Sequence, residues 1–265
     1  MIRIGDVGQH VAALQQALKS TGVAIEVDGW FGDATEKAVI RFQRDQGLMV
    51  DGVAGPATLG RLNPNSTQNS GKELCEKDLK AAARKLGVQL AAIKAVTEVE
   101  SKESGFLPSG RPVILFERHV MFRRLDNSAR AHNAAKFPAI VNEAPGGYVG
   151  GDGEWRRLKR ASAIDRSTAI ESASWGLFQI MGFHWQGLGY ASAADYSEAM
   201  HRSEREHLEA FVRFIKQDKA LHAALKDRDW PAFAERYNGP AYARNQYDTR
   251  MATAYDRYRQ LGRAA

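Results

Sequence analysis

The chain has 265 residues, 44% of them hydrophobic and 26% charged, which is enough to bury a core and excludes disorder as the main description. No apolar run approaches the roughly 18–20 residues that span a bilayer, the start shows no basic-then-apolar leader, and the single Cys75 excludes an intramolecular disulfide or a cysteine zinc cluster. The net charge of +6 lies beyond residue 63 and points to a polyanionic partner: nucleic acid, anionic lipid or an acidic cell wall.

Val11, Leu14, Gln15 and Leu18 recur at helical spacing, as do Ala38, Val39 and Phe42, and Pro56 suits the first turn of a third helix. Between these segments, Asp28-Gly-Trp-Phe-Gly-Asp-Ala-Thr35 returns as Asp51-Gly-Val-Ala-Gly-Pro-Ala-Thr58, an internal repeat. The pattern predicts a small three-helix bundle over residues 1–63. The polar stretch Asn63–Gly71 then reads as a linker, 64–72, with few apolar contacts to either side, and a second domain fills 73–265. There Leu79, Ala82, Ala83 and Leu86 form one apolar stripe. Pro112-Val-Ile-Leu-Phe116 reads as a short strand among the glycine- and proline-rich loops of 105–153. Ser203-Glu-Arg-Glu206 reads as a capping box before Leu208, Phe211, Val212 and Ile215, and Asp229-Trp-Pro231 as another helix start. The last helix carries Tyr247, Met251, Tyr255 and Tyr258 on one side, with Arg244, Arg250, Arg257 and Arg259 among its other positions. The fold class expected is mainly α: a three-helix bundle linked to a larger helical domain with a small β element.

The segment Leu90–Glu100 carries the chemistry. At about 100° per residue, Ala92, Ile93, Val96 and Val99 occupy one arc, and Glu100 falls inside it at about 280° from Leu90. Glu98 falls near 80°, where an i,i+4 pair with Lys94 on a solvated face explains it. A carboxyl group at the end of an apolar face is desolvated, which favours its protonated form near neutral pH. General acid catalysis of glycosidic cleavage needs that property.

Two resemblances follow from these residues. Gly5-Asp6-Val7-Gly8 leading into Val11–Leu18, then Asp28-Gly-x-Phe-Gly32 and Ala38-Val-Ile-Arg-Phe-Gln43, closely resemble the peptidoglycan-binding module of cell-wall hydrolases. That resemblance makes Asp28, Trp30, Phe31 and Asp51 candidate wall contacts, although the same residues could simply shape turns and cover the core. Residues 73–265 resemble the lysozyme-like superfamily: goose-type lysozymes, lytic transglycosylases and the muramidase domain of modular phage endolysins. The matches are Ala95-Val-Thr-Glu-Val-Glu100-Ser101, Ser172-Ala-Ser-Trp-Gly-Leu-Phe-Gln-Ile-Met181 and Arg236-Tyr-Asn-Gly-Pro240, in the expected chain order. By resemblance the larger domain is lysozyme-like, Glu100 is the general acid, and Ser101, Gly176, Gln179, Tyr237 and Asn238 contact the sugar. For Gln179 a loop amide satisfied within the protein is the alternative, for Tyr237 and Asn238 a helix C-terminus, and for Trp175 and Trp185 the core. Hydrolysis usually employs a second carboxylate. Glu117, after the apolar run 113–116, is the preferred partner, with a salt bridge to Arg118 or Arg123 as its alternative.

The expected reaction is cleavage of the β-1,4 bond between N-acetylmuramic acid and N-acetylglucosamine in bacterial peptidoglycan, leading to lysis of a Gram-negative host. A lytic transglycosylase giving 1,6-anhydro products is the nearest alternative, and a non-enzymatic wall-binding protein the alternative from another class. Neither a metal nor a cofactor is expected, since the seven histidines include no His-Glu-x-x-His. Anionic outer-membrane lipid is a further candidate partner, nucleic acid is not expected, and a monomer is. Storage in the host cytoplasm until a separate membrane pore opens would suit such a lysin.

Overall fold

The duplicated Asp-Gly segment folds the same way twice, each time around a glutamine. The computed structural model describes residues 1–63, 71–100 and 104–263, which fall into two units, Met1–Ser104 with Ala223–Ala265, and Gly105–His222. In the first unit α1 (Gln9–Ser20), α2 (Asp33–Asp45) and α3 (Pro56–Leu62) close around Val11, Leu14, Leu18, Phe31, Val39, Phe42 and Leu62. Gln15, buried on α1, reaches Asp28 Oδ1 (2.7 Å), the Trp30 carbonyl (3.0 Å) and Thr35 Oγ1 (3.0 Å) through Nε2. Its Oε1 accepts the amides of Asp28 and Gly29. Gln43 on α2 repeats the pattern with Asp51 Oδ1 (2.6 Å), the Val53 carbonyl, Thr58 Oγ1 and the amides of Asp51 and Gly52. The turns themselves need glycine, because Gly29 and Gly52 lie at φ +73° and +74°.

Residues 64–70 of the expected linker lie outside the described residues. Beyond them come α4 (Glu76–Leu86), stopped by Gly87 in the left-handed conformation, and α5 (Leu90–Glu100). Contacts cross the boundary expected at 64–72. The Val50 amide donates to Glu76 Oε2 at 3.2 Å, and Lys94 Nζ on α5 donates to the Val50 carbonyl at 2.9 Å while pairing with Glu76 Oε2, also at 2.9 Å. Lys94 is therefore buried and is not the surface partner of Glu98. Instead Glu98 accepts from Tyr258 Oη at 2.6 Å and pairs with Arg257, both on the last helix. The helical angle of Glu98 is as expected, but a neighbouring helix covers that face.

The second unit is built on a small antiparallel sheet. β1 (Ile114–Phe116) pairs with β2 (Ala173–Trp175), Phe116 opposite Ala173, and β2 pairs with β3 (Ile180–Met181), Trp175 opposite Ile180. The apolar run Val113–Phe116 gives β1; β2 and β3 come from the Ser172–Met181 segment, whose hairpin turn is Gly176–Gln179. Around the sheet are α6 (Arg118–Arg124), α7 (Asn127–Lys136), α8 (Asp152–Ser162), α9 (Arg166–Glu171), α10 (Ala193–Arg202) and α11 (Glu204–Gln217). Phe116, Met121, Trp175, Tyr196 and Phe211 fill its core. The capping box expected at Ser203 does not form: Glu204 turns inward to accept the Gly105 amide at 2.7 Å, and Glu206 pairs with Arg202.

After α12 (Lys219–Asp227) the chain returns to the first unit with α13 (Trp230–Asn238) and α14 (Tyr247–Arg263). Asp229 caps α13 by accepting the Ala232 amide at 3.1 Å, with Pro231 in the first turn as expected. On α14, Met251, Tyr255 and Tyr258 are buried, and α14 packs along α5. Among the described residues no helix is long and apolar enough to cross a membrane.

Candidate active site

Glu100 closes α5, whose buried face of Ala92, Ile93, Val96 and Val99 leads directly to it. Burial pushes its carboxyl from the ordinary 4.5 up to about 7, against the downward pull of a hydrogen bond from Asn238 and the Arg250 charge. Asn238 donates from Nδ2 to Glu100 Oε1 at 2.9 Å. The segment Arg236–Pro240 is thus a helix C-terminus, ended by Gly239 at φ +82°, and a support for the acid at once. Tyr237 stacks on Phe233 with ring centroids 5.7 Å apart and is half-buried. Ser101 lies outside the described residues.

In the other unit Glu117 leaves the end of β1, its amide bonded to the Ser172 carbonyl at 2.8 Å. Its Oε2 accepts from Tyr148 Oη at 2.8 Å and lies 3.1 Å from His119 Nδ1. The salt bridge to Arg118 or Arg123 is not formed; Arg118 donates to the Ala144 and Pro145 carbonyls instead. Gln179 is exposed, with backbone φ of 49° and its side chain turned back onto Ser174 Oγ (2.7 Å) and the Gly176 carbonyl (2.7 Å). A left-handed non-glycine residue is strained and needs a surrounding that holds it there. Gly176 has a packing requirement of its own for glycine. It sits at φ +68°, and a β-carbon there would come within 2.7 Å of the His207 ring. Trp175 is buried and donates to the Ile170 carbonyl, while Trp185 is half-buried on Glu171.

Of the wall-contact candidates, only Trp30 offers a ring to solvent, at 59% exposure. Phe31 is a core residue with no exposed surface, because the turn that presents Trp30 points the next side chain inward. Asp28 and Asp51 serve the turns through Gln15 and Gln43, and Asp51 is withdrawn from water. Sequence patterns missed Glu154 and Arg157, a buried ion pair at 2.7 Å, since nothing in an i,i+3 spacing on an arginine-rich helix distinguishes a buried pair from a surface one. Among the described residues no group of three or more His, Cys, Asp or Glu side chains is arranged to hold a metal ion.

A mainly helical chain with a small sheet, a repeat-built bundle at its start and a carboxyl of raised pKa at the end of an apolar helix fits a modular glycosidase of lysozyme-like fold. The family model of N-acetylmuramidases matches residues 89–259, and that of a peptidoglycan binding domain matches 7–62. The crystal structure of the Burkholderia AP3 phage endolysin superposes with a TM-score of 0.92 at 49% identity, over 98% of this chain and 99% of that one. The zinc D-Ala-D-Ala carboxypeptidase of Streptomyces albus G is 44% identical over 61 residues, 22% of this chain and 24% of that protein. The N-acetylmuramoyl-L-alanine amidase CwlM of Mycobacterium tuberculosis is 43% identical over 65 residues, 24% of this chain and 16% of that protein. The chain thus spans under a quarter of each of these two relatives. It belongs to the N-acetylmuramidase family, and with it to the peptidoglycan-degrading glycosidases of modular endolysin architecture.

Proposed function

We propose that the protein cleaves the β-1,4 bond between N-acetylmuramic acid and N-acetylglucosamine, with Glu100 as general acid, and so lyses its host. The observation that carries this is the Glu100 carboxyl, half-buried at the end of α5 and raised by desolvation to about 7. A carboxyl with that pKa keeps its proton in about half of the molecules at pH 7 and in most of them below pH 6, and can release it to the glycosidic oxygen as the bond to the anomeric carbon breaks. Asn238, anchored at the end of α13, fixes the direction in which that proton is presented. Glu117 is the candidate second carboxylate in this reading, stabilising the oxocarbenium-like transition state or activating water. The net charge of +6 supports attraction to anionic wall polymers and to outer-membrane lipid.

Glu100→Gln keeps shape and hydrogen bonding and removes the proton, so turbidity clearance of sacculi should fall by about 10²- to 10⁴-fold with the fold intact. Glu98→Gln is the companion variant: it should keep turnover at temperatures where it is folded. Near-normal clearance by Glu100→Gln would falsify the assignment. Mass spectrometry of released muropeptides then separates hydrolysis, which leaves reducing N-acetylmuramic acid, from the transglycosylase route, which leaves 1,6-anhydro ends.

A further inference from the structure

The two copies of the Asp-Gly repeat differ at the residue just before the aspartate. In the first copy this is Val27, 38% exposed; in the second it is Val50, 9% exposed and held by both of its backbone groups. The Val50 amide donates to Glu76 Oε2 on α4 at 3.2 Å, and its carbonyl accepts from Lys94 Nζ on α5 at 2.9 Å. Lys94 closes the ring by pairing with Glu76 Oε2 at 2.9 Å. Two residues earlier, Leu48 forms an antiparallel bridge with Cys75, which caps α4, and Lys94 also lies over the Tyr258 ring of α14, 5.5 Å from its centroid. All of these groups belong to the unit that contains Glu100. A buried ion pair adds little net stability, because desolvating the charges cancels most of their attraction. What it supplies here is direction: an apolar contact tolerates sliding, whereas a lysine that must meet one carbonyl and one carboxylate together admits α5 in a single register. Lys94 stands on α5 about 9 Å along the helix axis before Glu100.

We propose that the second turn of the binding module is a positioning element for the general acid: through the Val50–Glu76–Lys94 ring it fixes the register of α5, and Glu100 with it, against Asn238. The proposal rests on the reading of Glu100 as the acid. Asn238 reaches Glu100 from the end of α13, so the 2.9 Å bond between them requires that α5 be neither advanced nor rotated. A displacement of about 1 Å at a reacting group can cost about 10²-fold in rate. The same register keeps the Glu100 carboxyl from water, and burial is the first cause of its rise to about 7. One repeat thus serves two ends: the first copy is left facing outward, and the second belongs to the frame of the site.

The test uses the full-length chain on soluble muropeptide oligomers, so that attachment to sacculi does not enter the readout. Lys94→Met combined with Glu76→Gln removes both charges together, leaves neither ion buried alone and nearly keeps the volume, so the fold should survive. At temperatures where this variant is folded, kcat should fall at least about tenfold while KM changes less than about threefold. A carboxyl let out to water also loses its raised pKa. Since Glu100 donates only when protonated, the alkaline limb of kcat/KM should move to lower pH by about half a unit or more. A joint that is only structural would lower the melting temperature and leave kcat and the limb in place, and that result overturns the inference. If the double variant does not fold, Gln43→Ala and Gln15→Ala decide: each strips the equivalent bonds from one turn, and only Gln43→Ala should lower kcat. Equal kcat in these two overturns the inference as well. Glu100→Gln keeps the two layers apart. If it is active, the acid assignment fails and takes the positioning role with it; if it is inactive while the second-turn variants keep full kcat, the positioning role alone is wrong.

Discussion

The two Asp-Gly turns of the first module share their hydrogen bonds and differ in what lies outside them. Asp28 is open to water, and the Trp30 amide first, then Gln15, hold its carboxyl below the ordinary 3.8. Asp51 receives the equivalent bonds from Val53 and Gln43, but burial outweighs them and, with the Glu98 charge, raises it to about 6 despite Arg257. The same local sequence thus yields opposite titration because the second turn is pressed against α4, α5 and α14. One copy of the repeat is left to face outward; the other is an internal joint between the module and the helix that carries Glu100.

If the second turn is a joint, cutting it should cost far more than any change at the first. Lys94→Ala leaves Glu76 and the Val50 carbonyl without their buried cation, which should destabilise the full-length chain by about 3–5 kcal/mol in urea denaturation. A loss below about 1 kcal/mol would mean that the joint does not hold in solution. Next comes Gln43→Ala, which strips buried Thr58 and two backbone amides of a partner and should cost about 2–3 kcal/mol; Gln15→Ala should cost less, because water can replace it at the exposed Asp28.

The pH dependence sharpens the contrast further, because its sign reverses between the copies. A carboxyl whose folded pKa exceeds its unfolded one binds its proton more tightly in the native state. The stability Asp51 contributes is therefore complete below about pH 4 and is lost as pH rises through about 6, about 3 kcal/mol for a shift of this size. Asp51→Asn, which can keep the Gln43 and Val53 bonds, should abolish that dependence in melts between pH 4 and 7. Asp28 should do the reverse: its contribution is present above about pH 4 and fades as pH falls, so Asp28→Asn should flatten the acid side of the curve.

The sequence was legible where a residue's role depends on its own helix. The desolvation of the Glu100 carboxyl is legible because the apolar arc around it is written within the eleven residues of one segment, and the repeat discloses the bundle for the same reason. Roles set by another segment were not legible. Glu98 has the helical angle of a surface residue, yet Tyr258 and Arg257 of α14 cover it. Asp51 holds the same place in the repeat as Asp28, and it is the packing of α4, α5 and α14 against its turn, set by segments further along the chain, that desolvates it. The packing demand on Gly176 is equally hidden in the motif that contains it, because the ring its missing β-carbon makes room for, His207, lies some thirty residues on.

The smallest effect on stability, and the one aimed at the outward-facing copy, belongs to Trp30→Ala. Trp30 forms an isolated bridge with Val7, and both side chains are mostly exposed, at 59% and 65%. Its position in the second copy is taken by Val53, beside the Gln43 contact, so the aromatic ring belongs to the first copy alone. An exposed tryptophan contributes little to the core, and its removal should change stability by less than about 0.5 kcal/mol. If the first copy is the wall-facing one, a ring of this kind is what stacks on or packs against wall polymer, and affinity for purified sacculi in a pull-down should fall several-fold. Turnover of soluble muropeptide oligomers, which need no attachment to a sacculus, should be unchanged. Undiminished sacculus binding by Trp30→Ala would move the wall contact away from the first turn, and a parallel loss on soluble oligomers would place Trp30 in the catalytic path instead.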